Sequence, residues 1–126
     1  MTYQRDYALG EPTRANVDAL PGVSVIEFGA PWCGHCMAAQ PGLHEILRGR
    51  GDLRHLKIED GSGRPLGRSF RVKLWPTLIV MRDGHELARL VRPRTVEEIR
   101  QALRAVETNT AEATNARENA DREMVD

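Results

Sequence analysis

The sequence predicts an α/β domain with a mixed β-sheet, and three observations lead there. The β-branched run VSVIEF at residues 23–28 and the alternating run LRHLKIE at 53–59 flank a helical stretch. That makes a strand-helix-strand unit with parallel strands and a right-handed crossover. The runs TLIVM at 77–81 and ELARLV at 86–91 are joined by Arg82-Asp83-Gly84-His85, whose Asp-Gly step supplies the positive φ of a tight turn, so these strands run antiparallel. A capping box, Thr95 with Glu98, opens an amphipathic helix behind them.

Taken in order, Pro12 can open a short helix with Ala15, Val17, Ala19 and Leu20 as its apolar face, and Pro21-Gly22 ends it. The strand at 23–28 lies between Pro-Gly and Gly-Ala-Pro, and reads as buried with one misfit, the acid Glu27. From Cys33 to about Arg48, the residues Cys36, Met37, Leu43, Ile46 and Leu47 recur at helical spacing; Pro41 should kink this helix, and Gly49 and Gly51 stop it. After the second strand, EDGSGRPLG is a loop by its Gly, Ser and Pro content and leads into a short helical stretch ending near Phe70. Trp75-Pro76 follows, then the hairpin. In the last helix Val96, Ile99, Ala102, Leu103 and Val106 form one stripe. Residues 107–126 are acidic and almost free of large apolar groups, too few to offset the entropy of ordering them. The expected division is therefore a domain at 1–106 and a tail at 107–126 that is a frayed helix or disordered.

A chain of 126 residues is long enough for one core without disulfide staples or a structural metal. Its 40% hydrophobic and 29% charged residues are ordinary for a globular protein, and nothing in them marks a fibrous or membrane-bound class. Eighteen Lys and Arg balance eighteen Asp and Glu, which argues against a dedicated binder of nucleic acid or of anionic membrane. The balance hides segregation: the net charge is −3 over 1–47, +5 over 48–73, +2 over 74–106 and −4 over 107–126. The N-terminus lacks the apolar core of a secretory signal, and no segment nears the roughly 18 apolar residues of a membrane span. A cytoplasmic address is the expectation, and in a reducing compartment two cysteines three apart are catalytic or metal-binding sooner than a structural staple.

Those two cysteines, Cys33 and Cys36, are the only ones in the chain and stand at the start of a helix directly after a buried strand. The i, i+3 spacing puts both sulfurs on one face within disulfide reach, so they can be bridged or free without refolding. Unpaired N–H groups and the helix dipole favour an anion there, so Cys33 should ionise more readily than a free cysteine, whose pKa is about 8.5. His35, between the sulfurs, can add positive charge or a hydrogen bond. A metal site could draw instead on both cysteines with His35, His44, His55 or His85, but zinc wants four ligands and no second paired motif is present.

With VIEFGAPWCGHC, the kinking Pro41, Trp75-Pro76-Thr77 and the Asp-Gly turn in this order and spacing, the chain resembles the thioredoxin superfamily over roughly residues 10–106. The resemblance implies a central mixed sheet of four to five strands flanked by helices on both faces. It implies a thiol-disulfide oxidoreductase with Cys33 as nucleophile and Cys36 resolving the mixed disulfide. By the same resemblance Pro76 matches a cis-proline that frees the backbone of Trp75 to pair with substrate, and Trp32 contacts substrate. Glu27 matches a buried carboxylate beneath the resolving cysteine, where desolvation should raise its hold on a proton until it can take and return that of Cys36. A structural pairing of Glu27 with His55 or Lys57 is the alternative, and the family usage favours Lys57. No cofactor is implied; the partners are protein disulfides or dithiols and, as electron donor, a reductase or glutathione.

Within that superfamily, APWCGHC with Glu27 is similar to the catalytic domains of protein disulfide isomerase, since thioredoxins proper usually carry proline at the place of His35. The potentials of the two kinds, about −180 and −270 mV, differ by roughly 4 kcal/mol, so the dipeptide points to the more oxidising kind while a reducing compartment points to a reductase. Gly29, Leu74 and Arg92 depart from the usual aromatic, small and glycine residues at their places. The docking surface is accordingly bulkier and more basic, with Arg71, Lys73, Arg92 and Arg94 able to select acidic partners. A rival reading from another class is a redox-regulated binding module or assembly chaperone on the same fold.

Overall fold

The computed structural model describes residues 2–106, and the acidic tail expected at 107–126 lies outside the described residues. Its elements are α1 (Arg14–Asp18), β1 (Val23–Gly29), α2 (Gly34–Leu47), β2 (Leu53–Glu59), α3 (Pro65–Ser69), β3 (Thr77–Arg82) and β4 (His85–Val91), followed by α4, described over 96–106. The four described strands form one sheet in the order β2-β1-β3-β4. β1 pairs parallel with β2, and β3 pairs antiparallel with both β1 and β4.

Every residue of β1 is buried, as a β-branched strand covered on both faces must be. Its alternation sorts two cores. Val23 and Val25 face α2 and α4 through Ala39, Leu43, Leu47, Ile99 and Leu103. Ile26 and Phe28 face α1 and α3 through Val17, Leu66 and Phe70. Glu27 shares the parity of Val23 and Val25, so the strand's period of two carries its carboxylate to the α2 side. Helix α2 approaches α4 closely at Gly42, where a Cβ would stand 3.2 Å from Ile99 Cδ1.

The element ends follow the local chemistry. α1 opens two residues later than Pro12 suggests, with Thr13 as N-cap accepting from the Asn16 N–H at 3.0 Å. Pro41 lies inside α2, which runs through it as one helix. The β3–β4 turn takes Asp83 and Gly84 at φ 48° and 84°, and Asp83 Oδ1 accepts from the Gly22 N–H at 2.7 Å, pinning the hairpin tip to the loop before β1. At α4 Thr95 Oγ1 accepts from Glu98 N–H at 3.2 Å, while the Glu98 carboxylate reaches back to the Arg94 N–H, one residue ahead of the reciprocal bond of a simple capping box.

Candidate dithiol site

Cys33 is the N-cap of α2, with extended backbone at φ −81° and ψ 118°. Its Sγ accepts from the Cys36 N–H at 3.3 Å, the bond that a serine or aspartate oxygen usually takes at a helix start. A sulfur is thus held at the positive end of a fourteen-residue helix, where negative charge is stabilised. The sulfur also meets the Trp75 carbonyl, 4.0 Å away. Both cysteines are free thiols. Cys36 is the deeper, 2% exposed against 7% for Cys33. Burial pushes the Cys36 thiol up to about 12, and the hydrogen bond to Cys33 and the charges of Cys33 and Glu27 add to that against one opposing backbone bond to Ala30.

The Trp75–Pro76 peptide is cis, and Pro76 is fully buried. Trp75 packs on the small cluster of Ala30, Cys33 and Cys36, and its Nε1–H donates to Asp60 Oδ2 at 2.9 Å. Trp32 meets Trp75 edge-on with 5.4 Å between ring centroids and is 74% exposed. Leu74 and Val91 are likewise exposed apolar side chains, and both line the groove that His35 borders. Arg92 closes that side: its Nε–H donates to the Trp75 carbonyl at 2.9 Å and its backbone N–H to the Pro76 carbonyl at 2.9 Å. Arg92 does so at φ 51°, a left-handed conformation that suits glycine.

His35 is exposed on α2 and lines a groove with Leu74, Val91, Arg92 and Arg94. Among the described residues it makes no hydrogen bond to either sulfur; Cys33 Sγ bonds Cys36 and Trp75 instead. On the far side of Trp75 a second groove gathers Arg64, Arg68, Arg71 and Lys73.

Beneath the cysteines Glu27 is fully buried, and its partner is His55, with Nε2 2.9 Å from Oε1. This corrects the preference for Lys57. Although Lys57 stands opposite Glu27 in the strand register, its Nζ donates to the Arg5 carbonyl at 2.8 Å and to Gln40 Oε1 at 3.0 Å. Lys57 can only donate, so it fixes the Gln40 amide with oxygen toward itself and nitrogen toward Glu27 Oε2, 2.8 Å away. Gln40 Nε2 also donates to the Cys36 carbonyl at 2.8 Å, which ties the carboxylate's support to the helix that carries the sulfur. The Gln4 backbone N–H donates to His55 Nδ1 at 2.8 Å, which makes Nδ1 the acceptor and Nε2 the donor to Glu27.

The sequence reading did not single out Gln40, Asp60, Tyr3 or Tyr7. Gln40 could have been found from its place one turn after Cys36 on the face toward Glu27. Asp60 sits in a Gly-rich loop, and the two tyrosines in a segment without periodicity, so no local signal marks them. Among the described residues no three His, Cys, Asp or Glu side chains are gathered as a metal requires, and His55 is committed to Glu27 and Gln4.

A parallel βαβ unit joined to an antiparallel hairpin, with two thiols at the head of the crossover helix and a cis-proline beside them, defines a thiol-disulfide oxidoreductase of the thioredoxin fold. The sequence profile of the Thioredoxin family matches residues 14–105, and the chain belongs to that family. It is similar to thioredoxin 2 of Pseudomonas aeruginosa PAO1 in its reduced form, at 47% identity over 82% of this chain and 96% of that one, with a TM-score of 0.73. Thioredoxin H2-1 of Oryza sativa subsp. japonica is 32% identical over 71% of this chain and 67% of its own length. Protein disulfide-isomerase A3 of Gallus gallus is 34% identical over 63% of this chain, a match that spans 16% of that longer protein. No described helix is long and apolar enough to cross a membrane.

Proposed function

We propose that the chain reduces or reshuffles protein disulfides in the cytoplasm, with Cys33 attacking and Cys36 resolving. The observation that carries this reading is the place of Cys33 Sγ as the N-cap of α2, bonded to the Cys36 N–H at 3.3 Å. The Cys33 thiolate attacks one sulfur of a substrate disulfide, a mixed disulfide forms, and the other sulfur leaves with the electron pair. Cys36, deprotonated, then attacks Cys33 Sγ, closes the Cys33–Cys36 bond and releases the second substrate thiolate, so two electrons have passed to substrate. A reductase or glutathione restores the dithiol, and no cofactor takes part. Run in reverse, the same steps oxidise a dithiol.

Glu27 is the proton acceptor for Cys36 in this reading. Its charge acts on that sulfur, and His55 and Gln40 hold its two oxygens in place. Trp32, Trp75 and Arg92 form the docking surface for an extended substrate, and the buried Pro76 sets the Trp75 backbone beneath it. The cations Arg71, Lys73, Arg92 and Arg94 bias it toward acidic segments.

His35 gives the pair a potential less negative than the roughly −270 mV of thioredoxin, because charge at the head of α2 stabilises the reduced thiolate. Equilibration with glutathione tests this, and a midpoint at or below about −270 mV overturns the role of His35. A redox-regulated binding module makes a different prediction for Cys33→Ser. That variant should lose insulin reduction outright here, whereas a binding module would lose only partner capture.

A further inference from the structure

The N-terminal segment forms neither helix nor strand, yet it is fastened to β2 along its length. Gln4 N–H donates to His55 Nδ1, the Arg5 carbonyl accepts from Lys57 Nζ, and Ala8 N–H donates to the Lys57 carbonyl, each at 2.8 Å. Tyr3 Oη donates to Gln40 Oε1 at 2.7 Å. This strap delivers the Tyr7 ring to 4.8 Å from Lys57 Nζ and its hydroxyl to the space over Gly29. That space is one methyl wide: a Cβ on Gly29 would stand 2.6 Å from Cys36 Sγ and 3.0 Å from Tyr7 Oη. Gly29 has no positive φ to account for it, so the missing side chain serves the approach of these two groups.

We propose that Tyr7 is a further residue of the exchange site, its hydroxyl donating a hydrogen bond to the Cys36 sulfur when that sulfur is a thiolate. Desolvation, with the charges of Cys36 and Glu27 and the hydrogen bond to Cys36, pushes the phenol well above its ordinary range, so Tyr7 stays a donor at any working pH. A hydrogen bond to an ionised sulfur is of the strong, charge-assisted kind. No proton or electron moves through Tyr7. In resolution the Cys36–Cys33 bond forms while the bond from Cys33 to substrate breaks and the substrate thiolate leaves. In the reverse step Cys36 leaves as the thiolate that Tyr7 stabilises.

The inference rests on Cys36 being the resolving thiol. If it is not, the Cys36→Ser protein will fail to hold a mixed disulfide on Cys33, and this is seen before Tyr7 is tested. With that excluded, Tyr7→Phe keeps the ring and removes only the donor. Raising Cys36 by about one unit lowers its thiolate fraction tenfold and raises its nucleophilicity about threefold, so resolution should slow about threefold. Its pH profile should move to higher pH, while formation of the mixed disulfide by Cys33, measured in the Cys36→Ser background, stays within twofold of the unsubstituted rate. Gly29→Ala is the second variant: with a methyl between hydroxyl and sulfur, adding Tyr7→Phe should slow resolution no further. An unshifted resolution profile in Tyr7→Phe, equal slowing of both steps, or independent effects of the two substitutions would each overturn the proposal.

Discussion

His55 Nε2 donates to Glu27 Oε1 across 2.9 Å, with both side chains fully buried. The bond has its direction because the Gln4 N–H takes the other ring nitrogen, so a segment outside the sheet sets the tautomer inside it. Replacing His55 by Leu keeps the volume roughly but leaves Glu27 one donor short in the core. A lost hydrogen bond to a charged group costs about 2 kcal/mol, and His55→Gln, which restores an N–H, should recover part of it. Urea denaturation of the two variants checks this order, and equal midpoints would remove Glu27 as the reason for His55.

Arg92 combines an unfavourable backbone with a useful side chain. Arg92→Ala loses the bond to the Trp75 carbonyl but keeps φ at 51°, whereas Arg92→Gly loses the bond and relieves the left-handed conformation. The glycine variant should therefore be the more stable of the two by about 1 kcal/mol. Both should bind acidic substrates less well, seen as a higher KM at low salt that converges with the unsubstituted protein at high salt.

Gly84 is needed twice over. It sits at φ 84°, and a Cβ there would stand 2.5 Å from the Asp18 carbonyl oxygen. Gly84→Ala should destabilise by about 2 kcal/mol or more, since the turn and the end of α1 must both move. Gly34→Ala is the control, because beyond its chain neighbours and its own helix backbone nothing lies within 4 Å of its missing Cβ. Thermal unfolding should separate the two variants by several degrees.

The Cys36 thiol, pushed up to about 12 in the folded dithiol by burial, is protonated over a range where the unfolded chain would lose that proton. Its contribution to stability is thus complete below about 9 and is lost as pH rises toward about 12. Cys36→Ala should flatten the alkaline fall of the denaturation midpoint across that window. An unchanged slope would mean the sulfur is not held in its neutral form by the fold.

How much of this was legible depends on the range of the contacts. The strands, the crossover helix and the hairpin announce themselves through periods of two and 3.6 and through Asp83-Gly84, because those signals are local. Glu27 stood out as an acid in a β-branched strand, and Cys33 as an anion site at a helix start. The choice of His55 over Lys57 could not be read, because it turns on Gln40 one turn into α2 and on backbone groups of Gln4 and Arg5, about fifty residues from the histidine and lysine they touch. Gly29 gave the reverse lesson. Noted as a departure from an aromatic residue, it gained a reason only when Tyr7 was found beside it.

The order of attack is the central claim, and trapping tests it most directly. Cys36→Ser and Cys33→Ser proteins are each incubated with an oxidised protein substrate, quenched with acid and weighed intact by mass spectrometry under non-reducing conditions. The account predicts a stable one-to-one mixed disulfide on Cys33 in the Cys36→Ser protein and none formed at a comparable rate in Cys33→Ser. Accumulation of the adduct on Cys36 instead, with Cys33 left free, would contradict it.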